Sequence, residues 1–190
     1  MTFSLRTLTL AAMLTVGSIS GAAVYAQDNP MVGGAAMFAD KNIIENAVNS
    51  ADHTTLVAAV KAAGLVDTLS GAGPFTVLAP TNEAFAALPA GTVETLLKPE
   101  NKEMLSTILA CHVIAAKALS TDIVGMVEAD GGKHVVDTVG GCKLTLEAAD
   151  GKVTVTDENG TVANVTIADV IQSNGVIHVI DAVLTPKSAM

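Results

Sequence analysis

The sequence predicts an α+β domain in which helices come first and mostly antiparallel strands follow. Three features of residue order carry that expectation. Between Lys41 and about Ala110, apolar residues recur mainly at three- and four-residue spacing, the period of a helix face. After Val113 the period shortens to two, as in strands with one buried face. The closing run, "VIHVIDAVLTP" at 176–186, is apolar on both faces, as expected of a strand in the middle of a sheet. Helices followed by strands argue for α+β rather than an alternating βαβ array.

Residues 27–40, "QDNPMVGGAAMFAD", are small, polar and Gly-containing, and read as a linker or flexible N-terminal arm. In "KNIIENAVNS", Ile43, Ile44, Ala47 and Val48 share a helix face. In "TTLVAAVKAAG", Leu56, Ala59, Val60 and Ala63 do the same, and Gly64 is placed as a stop. "PFTVLAP" reads as a short buried strand. "TNEAFAAL" follows as a helix, with Thr81 as N-cap and Glu83 in the first turn, where the dipole favours an acid. "GTVETLL" and "PENKEMLSTILA" supply further helical turns, the second opened by Pro99. "KLTLE" at 143–147 and "KVTVT" at 152–156 alternate, with turns at "ADG" and "DENG". "TVANVTIADV" continues as strand, and "SNG" turns the chain into the final strand.

Composition narrows the function. The chain has 190 residues, 10 Lys plus Arg against 19 Asp plus Glu, and a formal charge of −9, with a pI of about 4.7. Such a chain does not supply the clustered cations that nucleic acid or an anionic lipid surface requires. Half of its residues are hydrophobic but only 3% are aromatic, so the core is expected to be aliphatic. That length suits one domain.

The N-terminus has Arg6 near the start, an apolar run from Leu8, and small residues at Val24 and Ala26, the pattern of a secretory signal peptide over 1–26 cleaved near Ala26. No second long apolar stretch follows, so no membrane span is expected in the mature chain. Arg6 is the only arginine, so the mature chain would lack the bidentate fork that clamps phosphate or carboxylate. A secreted or periplasmic residence changes the meaning of the two cysteines. In an oxidising compartment, Cys111 and Cys142 are expected to form one disulfide.

"FTVLAPTNEAFAAL" at 75–88 resembles the first conserved box of the fasciclin domain, and "SNGVIHVIDAVLTP" at 173–186 resembles the second. The resemblance runs from 41 to 187. It implies a wedge of mostly antiparallel strands flanked by helices, with Thr81, Asn82, Phe85, His112, Asn174, Gly175 and His178 as structural residues of the family motif. It also implies cell adhesion or recognition of a matrix or surface partner, protein or glycan, without catalysis or cofactor. Cys111 stands where the family carries the tyrosine of a Tyr-His pair, so a role belonging to that tyrosine does not carry over.

Cys111 beside His112 invites comparison with a nucleophile and its base. In an extended segment the two would point to opposite faces and could not form that pair. No G-x-S-x-G, H-E-x-x-H, P-loop or G-x-G-x-x-G is present. His112 and His178, both expected in apolar strands, fit a shared metal or a pH switch on one reading, and buried imidazoles satisfied by backbone on another. No local cluster supplies the three or four ligands of a zinc site. The acids of "TDEN" and "EADGG" lack the spacing of a calcium loop and read as solvated turn residues.

One residue is a candidate partner contact. Asp169, in "IADVIQSNG", is similar in position to the aspartate of a short Asp-Ile-type motif proposed as an integrin contact in animal fasciclin domains, although Val170 follows it in place of isoleucine and no proline precedes it. In that role its removal would weaken binding and spare stability. The plainer reading is that Asp169 ends a strand and helps a turn. Few aromatics and no mature arginine point to weak monovalent binding, strengthened by display in many copies. The alternatives are an envelope structural protein holding its own cell-surface polymer, and an unrecognised hydrolase or metal protein.

Overall fold

The computed structural model describes residues 29–149 and 151–187. The expected signal peptide, 1–26, lies outside the described residues. Strands β1 (Met31–Val32) and β2 (Ala35–Ala36) form a small hairpin. The other strands make one seven-stranded sheet: β3 (Phe75–Pro80), β4 (Val113–Ile114), β5 (Lys133–Asp137), β6 (Lys143–Ala149), β7 (Lys152–Thr156), β8 (Val162–Gln172) and β9 (Gly175–Ile180). Their spatial order is β4-β3-β9-β8-β7-β6-β5. All neighbours are antiparallel except β3 and β9, which run parallel. The α+β expectation holds.

Helices α1 (Ile43–Ala47), α2 (Thr54–Ala63), α3 (Val66–Ser70), α4 (Asn82–Ala86), α5 (Thr92–Leu96) and α6 (Lys102–Ala110) precede most of the strands, and α7 (Ser120–Ala129) follows β4. Local chemistry explains their limits. Asn42 caps α1 by accepting from the Glu45 N–H at 2.9 Å, and the Glu45 carboxylate returns a bond to the Asn42 N–H, also at 2.9 Å. Thr81 caps α4 through the Ala84 N–H at 3.3 Å. Gly64 ends α2 in the left-handed region at φ 75°, which costs glycine nothing.

The core divides along the pleat of the central strands. Val77 and Ala79 of β3 and Ile177 and Val179 of β9 face a cluster with α1, α2 and α6, including Ile43, Leu56, Val60, Leu105 and Leu109. Leu78 and Ile180, their alternates, face a second cluster with α7 and the β6–β8 strands, including Ile123, Val127, Leu144, Leu146 and Val155. Both faces of β9 are therefore buried, which is why its sequence shows no alternation. β8 links the two regions and shifts register twice, between Val165 and Ile167 and between Ile167 and Val170. Such bulges bend a strand and sharpen its twist.

Three expectations change. The described part of the expected flexible arm is packed: Val32 and Met37 are buried in the first cluster, and the Ala51 N–H bonds the Gly33 carbonyl at 3.1 Å. Cys111 and His112 are not in a strand. α6 runs to Ala110, Cys111 is its C-cap in the right-handed helical region, and β4 starts only at Val113. Helix α7 interrupts the stretch read as entirely of period two.

Candidate functional site

The residues singled out by their motifs fall into three polar knots that hold the sheet, the helices and the C-terminal segment together. The first centres on Asn174 of the second box, which ties α1 and the end of α3 to the start of β9. The Asn174 amide donates to the carbonyls of Leu69 and Gly71 at 2.8 and 2.9 Å, while its oxygen accepts from the Ile43 N–H at 3.1 Å. Next to it, Gly175 faces Phe75 across the parallel pair so closely that a Cβ would sit 2.1 Å from the Phe75 carbonyl oxygen. Asn82 works alike on the other box: it accepts from the Thr55 N–H at 3.0 Å and donates to the Ala51 carbonyl at 2.8 Å, tying α4 to the start of α2. Phe85 turns from α4 into the first core cluster.

The second knot centres on His112. Its Nε2 accepts from the Leu184 N–H at 3.0 Å, so that nitrogen carries no proton. Its Nδ1 therefore holds the hydrogen and donates to the Ile108 carbonyl at 2.8 Å. Burial pushes the imidazole down to about 4, only partly offset by the Ile108 carbonyl and the charge of Asp157. Beside it, Cys111 is joined to Cys142 in a disulfide, with Cα atoms 5.4 Å apart. The sulfur is thus not a thiolate, and the adjacent imidazole has both nitrogens engaged.

Asp157 belongs to the same region and departs from its expected role. Its carboxylate is buried, accepting from the N–H groups of Asn159, Thr161 and Thr185 at 2.9, 2.8 and 2.9 Å. It is a structural clamp on the C-terminal segment rather than a solvated turn acid. Only the two donors inside its own turn were foreseeable from the Asx-turn character of "DENG".

The third knot holds Asp169 and His178. Asp169 sits within β8 at φ 58° and does not end that strand, which runs on to Gln172. Its carboxylate accepts from the Ser120 N–H at 2.7 Å and from the Ser120 hydroxyl, and so caps α7. The bulged backbone turns the Asp169 N–H onto His178 Nδ1 at 3.2 Å. His178 Nε2 then donates to the Ala118 carbonyl at 2.9 Å, and the Ala118 N–H bonds the Thr76 hydroxyl at 2.9 Å. Burial lowers the His178 imidazole, against the opposing effects of Ala118 and Asp169. Ser120 and Thr76 were not anticipated.

His112 and His178 belong to separate hydrogen-bond networks. Each is consumed by its own backbone partners, and among the described residues no three His, Cys, Asp or Glu side chains converge as metal ligands. His53, also unforeseen, is buried with Nδ1 on the Ser50 hydroxyl at 2.9 Å. Its Nε2 makes no bond of good geometry, although the Ala79 carbonyl lies toward it, and burial again lowers the imidazole. Among the described residues, an open groove of about 640 Å³ lies between α5, α6 and the C-terminal segment, lined by Leu88, Leu96, Met104, Ile108 and His112.

Residues 51–186 match the family described as the fasciclin domain. The chain is 48% identical over 160 residues to protein sll1483 of Synechocystis sp., covering 84% of this chain and 82% of that one. It is 34% identical over 174 residues to the cell surface glycolipoprotein MPB83 of Mycobacterium bovis, covering 88% of this chain and 71% of that one. The fold is similar, with a TM-score of 0.70 at 18% identity, to the FAS1 domain pair from the insect cell adhesion molecule fasciclin I, over 78% of this chain and 52% of that one.

Proposed function

This chain belongs to the fasciclin domain family, and on that basis we propose that it works outside the cytoplasm as a non-enzymatic adhesion or surface-recognition module. The observation that carries the reading is the way the motif residues are used. Cys111 is spent on Cys142, and His112 and His178 are each bonded at both ring nitrogens. A nucleophile and base need a free side-chain pair within reach of substrate, and these residues instead build a rigid frame. A relative named as a cell-surface glycolipoprotein and a structural neighbour from a cell adhesion molecule support the location and the role. The partner is a surface or matrix protein or glycan. Asp169 contributes by shaping the β8 surface, because its carboxylate is committed to Ser120.

Fractionation of expressing cells tests the location: the protein should be accessible to added protease or antibody without lysis of the cytoplasmic membrane. Binding to isolated cell wall or glycan, set beside binding to matrix proteins, separates an envelope role from a cell-contact role. Retention of the protein wholly in the cytoplasm, or turnover of a substrate dependent on His112 or His178, contradicts the proposal.

A further inference from the structure

β5 is the outer strand of the seven-stranded sheet, and among the described residues no strand pairs with its free edge. Its sequence is Lys133-His134-Val135-Val136-Asp137. Lys133, Val135 and Asp137 lie on the solvent face, and Val135 is 55% exposed. Charges at an edge commonly prevent strands from pairing. Here the two charges are opposite in sign and equidistant from Val135.

We propose that this edge pairs antiparallel with β5 of a second copy of the chain, about a two-fold axis through Val135. An antiparallel register centred there sets Lys133 opposite Asp137 of the second copy, and Asp137 opposite its Lys133, while the two valines meet on the axis. The neighbouring strand extends the match. Lys133 pairs with Glu147 of β6 at 2.5 Å, and Asp137 pairs with Lys143 at 2.7 Å. Across the junction the charges therefore alternate as Glu147, Lys133, Asp137 and Lys143, with no like charges directly opposed. Each copy supplies the same five residues, so the contact is self-complementary and closes at two chains. The positive-φ glycines at 131 and 132 end the pairing on one side. Val139, whose N–H bonds the Val113 carbonyl of β4 at 2.8 Å on the side away from β6, ends it on the other. Five residues per copy and a net charge of −9 make the contact weak, so it operates where copies are concentrated on a surface. The surface setting rests on the proposed function, whereas the pairing itself is read from the β5 edge alone.

Charge complementation tests it directly. Sedimentation of the purified protein from about 10 μM to about 1 mM, the range of weak contacts, should show a monomer–dimer equilibrium. Lys133→Asp alone and Asp137→Lys alone each place like charges across the axis and should weaken self-association about tenfold or more. An equimolar mixture of the two variants restores opposite charges and should recover the dimer as a heterodimer. Circular dichroism and melting curves confirm that both variants stay folded. A wild type that remains monomeric throughout that range, or single variants that associate as the wild type does, overturns the proposal and leaves the charges as guards of the edge.

Discussion

Asp169 and Ser120 lie 49 residues apart in the chain, yet the carboxylate of one accepts both the backbone N–H, at 2.7 Å, and the hydroxyl of the other. The contact puts an anion at the N-terminus of α7, where the orphan N–H groups and the dipole both favour it. It also holds a left-handed aspartate inside a strand, so its two costs can be separated by substitution.

Asp169→Ala loses the cap and also puts a β-carbon residue without a local polar group at φ 58°. It should destabilise by about 2 kcal/mol, the sum of a typical cap and a typical left-handed penalty. Asp169→Gly keeps the backbone unstrained and should lose roughly the cap alone, about 1 kcal/mol. Denaturant melts of the two variants check the order.

The Cys111–Cys142 disulfide spans 31 residues and joins the end of α6 to the turn before β6. Reduction, or replacement of both cysteines by serine, should cost about 3–4 kcal/mol by loop-closure entropy. Equilibrium unfolding with and without reductant measures it.

Acid should weaken the fold through His112. The imidazole is neutral in the folded state down to about 4, whereas in the unfolded chain it takes up a proton near 6.5. The unfolded state therefore binds more protons between these values. The contribution is complete above about 6.5 and is lost as pH falls to about 4, on the order of 3 kcal/mol. His53 and His178 are shifted in the same direction and add to the slope. His112→Gln should be less stable at neutral pH but show a shallower loss across that window in stability measured against pH.

Gly175→Ala tests the junction of the two motif boxes. The new methyl group meets backbone on β3 rather than a movable side chain, so β3 and β9 must separate. We expect a loss of more than about 3 kcal/mol or failure to fold, seen as loss of soluble monomer or of the melting transition.

What could be read from residue order was what local chemistry decides. Gly64 stopped α2 and Thr81 capped α4 because both signals sit beside the elements they limit. β9 was placed centrally because its run of apolar residues needs two buried faces. The candidate site was less legible because its partners are distant. α7 was missed because one cap comes from Asp169, and Gly125 interrupts an already short apolar stripe. Cys111 was read as extended because β4 is only two residues long and the apolar run gives no sign of where α6 ends. Asp157 looked like a surface acid because Thr185, which supplies a long-range donor, lies 28 residues away.

The central claim is recognition without catalysis. Its most direct test is capture by the protein displayed in many copies on beads, from intact cells, envelope fractions and matrix polymers, in competition with soluble protein. The account predicts saturable capture from at least one source, strong for the multivalent beads, weak for the free monomer in the micromolar range or above, and competed by excess soluble protein. Beads that capture nothing from any of these sources while wild-type folding is verified contradict it.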